Sequence, residues 1–244
     1  MESLTRVFSS LYRSYGPQGW WPLPSRALRD GFDDRGYHPG IFGIPDAEGG
    51  RWEVICGAIL TQNTSWTNVE RALLALVEEG ISSPENLLSC PLDRLLDLVR
   101  PSGYYNQKAE RLRSMASFIL AHPEMPTREE LLSLNGVGNE TADSILLYAW
   151  HQQVFVVDAY TIRLLGRIGY IDASMLPQSA SKRYEYVQNI ILKGLSKISI
   201  PVHLSRIDYF SEFHALIVKH AKLHCSSHPD CVACPLEQRC RKRI

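Results

Sequence analysis

Apolar positions recur along this chain with the period of a helix. Leu4, Val7, Phe8, Leu11 and Tyr15 share one face of a first helix. Gly16 to Gly50 is rich in Gly and Pro and reads as irregular loop. Trp52 to Leu60 is apolar enough for a buried helix, and Thr67 to Glu79 is amphipathic and ends at Gly80. Ser83-Pro84 has the form of an N-cap followed by Pro at the first helical position. Leu92, Leu95, Leu96 and Val99 make a short helix that stops at Pro101. Tyr105 to Ala121 is stopped by Pro123, and Thr127 with Glu130 gives the spacing of a capping box ahead of Leu131, Leu132 and Leu134. Helices follow over Glu140 to Trp150, Ala159 to Ile168, Ser181 to Leu195 and Arg206 to Lys222. Only Val154 to Val157 looks strand-like, and it is too short and solitary to build a sheet. The pattern predicts an all-α protein without internal repeats.

Composition changes this picture little. At 244 residues and 45% hydrophobic content, the chain fits one large domain or two intimate ones with a substantial core. No apolar run approaches the 18 residues of a membrane span, and MESLTRVFSSLYRSYG lacks a signal-peptide core, so a cytoplasmic protein is expected. Net charge is zero, but the segment from Ile200 carries seven Lys/Arg against four Asp/Glu. Arg239, Arg241, Lys242 and Arg243 crowd its end, as a phosphate-steering patch or as a solvated terminus.

Chemistry concentrates in two places. The first is LNGVGNETADSILLYAWHQQVFVVD, Leu134 to Asp158. Gly136 and Gly138 leave backbone amides free to point at an anion, and the helix that follows adds its positive end. A DNA phosphate fits such a nest without a basic side chain. Asp158 then stands alone at the start of the next helix, where an N-cap and a reactive carboxylate are both expected. The second place is C-x5-C-x2-C-x5-C, formed by Cys225, Cys231, Cys234 and Cys240. Four thiols so close in a cytosolic protein suit an iron–sulfur cluster, and a tetrahedral zinc site is the alternative. Cys56 and Cys90 sit alone in helical context, as packing residues do.

The hairpin, the downstream Asp and the terminal cysteines together resemble the endonuclease III superfamily of base-excision DNA glycosylases, over about Glu53 to Cys240. Gly136, Val137, Gly138, Thr141, Ala142, Val157 and Asp158 match its hairpin, helix and Val-Asp pattern. The first cysteine spacing is one residue shorter than the usual family form. The resemblance implies a helix-hairpin-helix gripping double-stranded DNA, a [4Fe–4S] cluster on the four cysteines, and Asp158 as the catalytic centre. It places Gln62, in LTQNT, where the family fills the gap left by a flipped base. Bifunctional members carry a Lys two positions after the second hairpin Gly; here that position is Glu140, which cannot form a Schiff base. Glu140 is either part of the pocket or a charge complementing the helix N-terminus. Lys108 is expected on the charged face of its helix.

A narrower resemblance, in QGWWP (Gln18 to Pro22) and RPSGYYNQKAERL (Arg100 to Leu112), is to the 3-methyladenine DNA glycosylase III branch. It implies that Trp20 and Trp21 line a base pocket and sandwich a cationic alkylpurine; the plainer alternative is that they staple the long loop to the core. The expected protein is a monomer of two helical lobes with a DNA groove between them and the hairpin and Asp158 at its mouth. One lobe spans 51–147, the other joins 1–50 to 148–224, and the cluster loop occupies 225–240. The expected activity is monofunctional release of an alkylated purine such as 3-methyladenine. Alternatives are a glycosylase for a mismatched or oxidised base, an endonuclease III-like lyase, and a DNA-binding protein without chemistry.

Overall fold

The computed structural model describes residues 3–196, 198 and 200–241. Among them are eleven α-helices and no strand. The helices are α1 (Leu4–Tyr15), α2 (Glu48–Leu60), α3 (Trp66–Glu78), α4 (Pro84–Ser89), α5 (Leu92–Val99), α6 (Tyr105–Ala121), α7 (Arg128–Ser133), α8 (Asn139–Ser144), α9 (Ala159–Arg167), α10 (Ala180–Leu195) and α11 (Arg206–Leu223). None is long and apolar enough to cross a membrane.

The chain forms two compact units, Trp21–Gln152 and Met1–Trp20 with Gln153–Ile244. The boundary expected after residue 50 therefore falls at residue 20. The reason lies in the loop. Trp21, Leu23 and Phe32 are buried in the first unit, and Trp21 lies on Gly57, where a Cβ would come within 2.8 Å of its indole nitrogen. Buried Glu53 of α2 accepts the Ser25 amide and hydroxyl, which fixes the turn at Pro24–Arg26.

In the unit Trp21–Gln152, α2 is the central helix, and every residue from Trp52 to Leu60 is buried. The capping signals read from sequence are present. Ser83 Oγ accepts the Asn86 amide ahead of α4, and Thr127 and Glu130 form the reciprocal capping box of α7. Lys108 departs from expectation. It is 0% exposed, and its Nζ donates to the carbonyls of Leu60 (2.8 Å) and Ser102 (2.7 Å). It thus caps two helix ends, of α2 and of the 3-10 turn Arg100–Ser102, that would otherwise bury unpaired acceptors. Burial, with Arg111 nearby, lowers its pKa to about 8. After α8 the backbone widens into a π-turn at Ile145–Ala149, an irregularity that periodicity alone does not reveal.

In the other unit, α1 packs on α10 and α11, and α9 packs on α11. Phe8 meets Tyr209 at 4.1 Å and Phe213 at 5.7 Å between ring centroids, and Phe155 meets Phe210 and Phe213 edge to face. Residues 154–157 are extended but pair with no strand among the described residues. Side chains of α10 serve instead. Gln188 Nε2 donates to the Phe155 carbonyl at 2.8 Å, and the Val157 amide donates to the Tyr184 hydroxyl at 3.2 Å.

Candidate active site

The hairpin joins α7 to α8. Gly136 has φ +79°, and a Cβ there would lie 2.0 Å from Arg111 Nε, so both backbone and space require glycine. Val137 is buried beside it, and Gly138 is the N-cap of α8. A bidentate ion pair clamps the two helices together. Arg128 Nε donates to Asp143 Oδ1 (2.7 Å) and its Nη2 to Oδ2 (3.2 Å), and the same Nη2 donates to Asn139 Oδ1 at 3.0 Å.

Gln62 belongs to this hairpin. Its Nε2 donates to the Gly136 carbonyl (2.9 Å) and to Thr141 Oγ1 (3.0 Å), and its Oε1 accepts from Arg111. Its amide is thus engaged at both ends, and donation from its Nε2 to an orphaned base would break one of these bonds. The structure makes Gln62 and Thr141 supports of the hairpin. Glu140 is exposed in the first turn of α8, where its charge complements the helix N-terminus.

Asp158 is the N-cap of α9 and only 8% exposed. Its Oδ1 accepts both the Thr161 amide and the Thr161 hydroxyl at 2.7 Å. Its Oδ2 lies 3.6 Å from His214 Nε2, a contact just longer than a hydrogen bond. Burial pushes the Asp158 pKa up, but His214 and the two Thr161 donors outweigh it and hold the carboxyl below its ordinary value. The side chain is therefore an ionised carboxylate in a nearly dry setting.

The two tryptophans part company. Trp20 stays half-buried in the Asp158 unit, its ring edge-to-face with His214 at 5.6 Å and 81°. Trp21 is 5% exposed in the other unit, enclosed by Trp66, Tyr148 and Gly57. Trp21 is too enclosed to stack on a base, so the expected sandwich of two indoles is corrected: of the pair, Trp20 keeps part of its surface exposed. Sequence reading missed Thr161, Glu212 and His214. Thr161 was findable, since D-A-Y-T is an N-cap with a hydroxyl three residues on. Glu212 and His214 lie more than fifty residues from Asp158 on an apolar helix, and only the tertiary fold joins them to it.

Cys225, Cys231, Cys234 and Cys240 line one cavity with Arg167, His220 and His224. Among the described residues, no three Cys, His, Asp or Glu side chains converge as a ready shell for one metal ion. The donor set nevertheless fits a cationic group. Burial first, and then the three neighbouring cysteines, raise the Cys234 pKa, so four thiolates together need positive charge between them. Arg167, itself buried, donates to Cys225 Sγ at 3.2 Å and to the Ser226 carbonyl at 2.6 Å. His224 Nδ1 is buried with no hydrogen-bond partner among the described residues. Cys56 and Cys90 are buried packing residues. Of the basic tail, Arg239 donates to Ser10 Oγ at 2.9 Å, while Lys242 and Arg243 lie outside the described residues.

Comparison with known proteins places this geometry. A family model described as "HhH-GPD superfamily base excision DNA repair protein" matches residues 56–190. A protein of Methanocaldococcus jannaschii, provisionally named a DNA repair glycosylase, is 37% identical over 98% of this chain and 96% of its own length. A thymine-DNA glycosylase of Aeropyrum pernix is 27% identical over 98% of this chain and 94% of its own. The crystal structure of H. pylori 3-methyladenine DNA glycosylase bound to 1,N6-ethenoadenine superposes with a TM-score of 0.70 at 27% identity, covering 91% of this chain and 98% of that one.

Proposed function

This chain belongs to the HhH-GPD superfamily of base excision DNA repair proteins, and on that premise we propose that it is a monofunctional glycosylase that releases alkylated purines such as 3-methyladenine from duplex DNA. The observation that carries the reading is the ionised Asp158 carboxylate, held by Thr161 in the same unit as the half-buried indole of Trp20.

Alkylation at a ring nitrogen makes the purine a cation and a good leaving group. As the glycosidic bond breaks, its electron pair leaves with the base, which departs neutral. The sugar C1′ becomes oxocarbenium-like, and a carboxylate in a poorly solvated site stabilises that charge. Water adds to C1′, and its proton passes to the Asp158 carboxylate and on to solvent. The products are the free base and an abasic site. Stacking of the cationic base on Trp20 is worth about 0.5–2 kcal/mol, and it distinguishes such a base from a neutral one. Glu140 stands where a lyase carries its amine, so no Schiff base forms there and the strand stays intact. The amides of Gly136 and Gly138 grip a backbone phosphate, while that of Val137 donates to the Leu134 carbonyl and holds the hairpin. Cys225, Cys231, Cys234 and Cys240 would hold a [4Fe–4S] cluster, which when bound cross-links the C-terminal loop.

The similarity to the H. pylori 3-methyladenine DNA glycosylase supports the substrate. The equally similar A. pernix thymine-DNA glycosylase favours a second reading, removal of a mismatched thymine. Chromatography of bases released from dimethyl-sulfate-treated duplex and from a G·T duplex separates the two. The account expects 3-methyladenine from the first duplex and little thymine from the second. The reverse pattern selects the mismatch reading.

A further inference from the structure

Asp158 has two oxygens in unlike settings. Oδ1 is filled by the amide and hydroxyl of Thr161. Oδ2 faces His214 Nε2 at 3.6 Å, just beyond hydrogen-bond length. A carboxylate secured at one oxygen can still pivot about that anchor. His214 is 4% exposed, and its ring meets the edge of Trp20. Two residues earlier on α11, buried Glu212 accepts the amides of Gln18 (2.7 Å) and Gly19 (3.0 Å). This fixes the turn from which Trp20 projects. One helix therefore anchors the indole's backbone, touches its ring and faces the second oxygen of Asp158.

We propose that His214 is a positioning residue for glycosidic-bond hydrolysis: its Nε2 takes hold of Asp158 Oδ2 when the damaged nucleotide is bound, while its ring fixes the Trp20 face on which the base stacks. The inference rests on the hydrolytic reading of Asp158 given above. Catalytic hydrogen bonds are commonly long in the free enzyme and tighten in the substrate complex. The 3.6 Å contact needs to shorten by only a few tenths of an ångström to become one. No proton transfer by His214 is required, because its part is orientation of a group that is already ionised.

The test is single-turnover release of 3-methyladenine from dimethyl-sulfate-treated duplex by wild type, Asp158→Asn, His214→Ala, His214→Leu and His214→Gln. Affinity for a duplex with a tetrahydrofuran abasic analogue and thermal midpoints are measured alongside. A misplaced reacting group costs about 10²-fold, so His214→Ala and His214→Leu are expected to slow release by about that factor while the duplex Kd stays within about twofold. His214→Gln places an amide N–H near the Nε2 position and is expected to recover most of the rate. If His214→Ala does not fold, the comparison of Leu with Gln, similar in volume and differing in the donor, decides the matter. Leu at the Gln rate overturns the proposal, as does Ala at the wild-type rate. If wild type releases thymine from a G·T duplex but no methylated base, the substrate reading fails and the same ranking is read on thymine. If wild type and Asp158→Asn are equally inactive on both duplexes, the hydrolytic reading falls and takes this proposal with it.

Discussion

Asp158 is a residue whose surroundings oppose one another. Burial favours the neutral acid, while His214 and Thr161 favour the anion and prevail. The consequence is visible in stability as well as chemistry. A carboxyl whose folded pKa lies below its unfolded value binds fewer protons when folded, so its stabilising contribution is full above the ordinary value of 3.8 and is lost as pH falls through the folded value. Wild type is therefore expected to lose more stability than Asp158→Asn between pH 6 and pH 3, measured by equilibrium denaturation; equal losses would contradict the assignment. Gly136 is constrained by contact rather than charge. Gly136→Ala puts a methyl into Arg111 at a positive φ, and is expected to weaken duplex binding without altering the Asp158 unit. Titration with labelled duplex checks this. At this scale the sequence was least informative. Trp20 and Trp21 are adjacent and chemically identical, yet one belongs to the Asp158 unit and the other to a core packed on Gly57. Lys108 follows a polar local pattern, and only the carbonyls of Leu60 and Ser102, brought from other segments, explain its burial.

The helices themselves were largely legible, because their signals are local. The Ser83 cap, the Thr127–Glu130 box and the Pro101 and Pro123 stops each act within one turn of the residues they define. The π-turn at Ile145–Ala149 and the side-chain pairing of residues 154–157 were not, because both answer to packing against distant elements. The clamp between α7 and α8 combines the two cases. Arg128 opens one helix and Asp143, fully buried, lies in the next. Removing the cation takes a bidentate ion pair from a buried carboxylate, which costs on the order of 3 kcal/mol. Arg128→Ala is thus expected to lower the thermal midpoint and to weaken duplex binding together. Calorimetry and titration that show neither change would remove the clamp from the account.

Across the whole molecule, the chain crosses between its two units at residues 20 and 153, so each unit carries a different part of the proposed chemistry. Trp21–Gln152 holds the hairpin with its Gln62 and Arg128 supports; the other unit holds Asp158, His214, Trp20 and the four cysteines. The cysteine loop closes a cavity lined by α9 and α11 side chains, so binding of the proposed cluster there is expected to stabilise that unit. Protein purified without oxygen is expected to be brown with broad visible absorbance, and Cys234→Ser to be colourless with a lower thermal midpoint. A colourless wild type containing zinc would replace the cluster. The most direct test of the central claim is a duplex carrying one alkylated purine, incubated with wild type or Asp158→Asn and resolved with and without hot alkali. The account predicts strand breaks with wild type only after alkali, and none with Asp158→Asn. Breaks before alkali, or equal breaks with the variant, would contradict a monofunctional hydrolysis centred on Asp158.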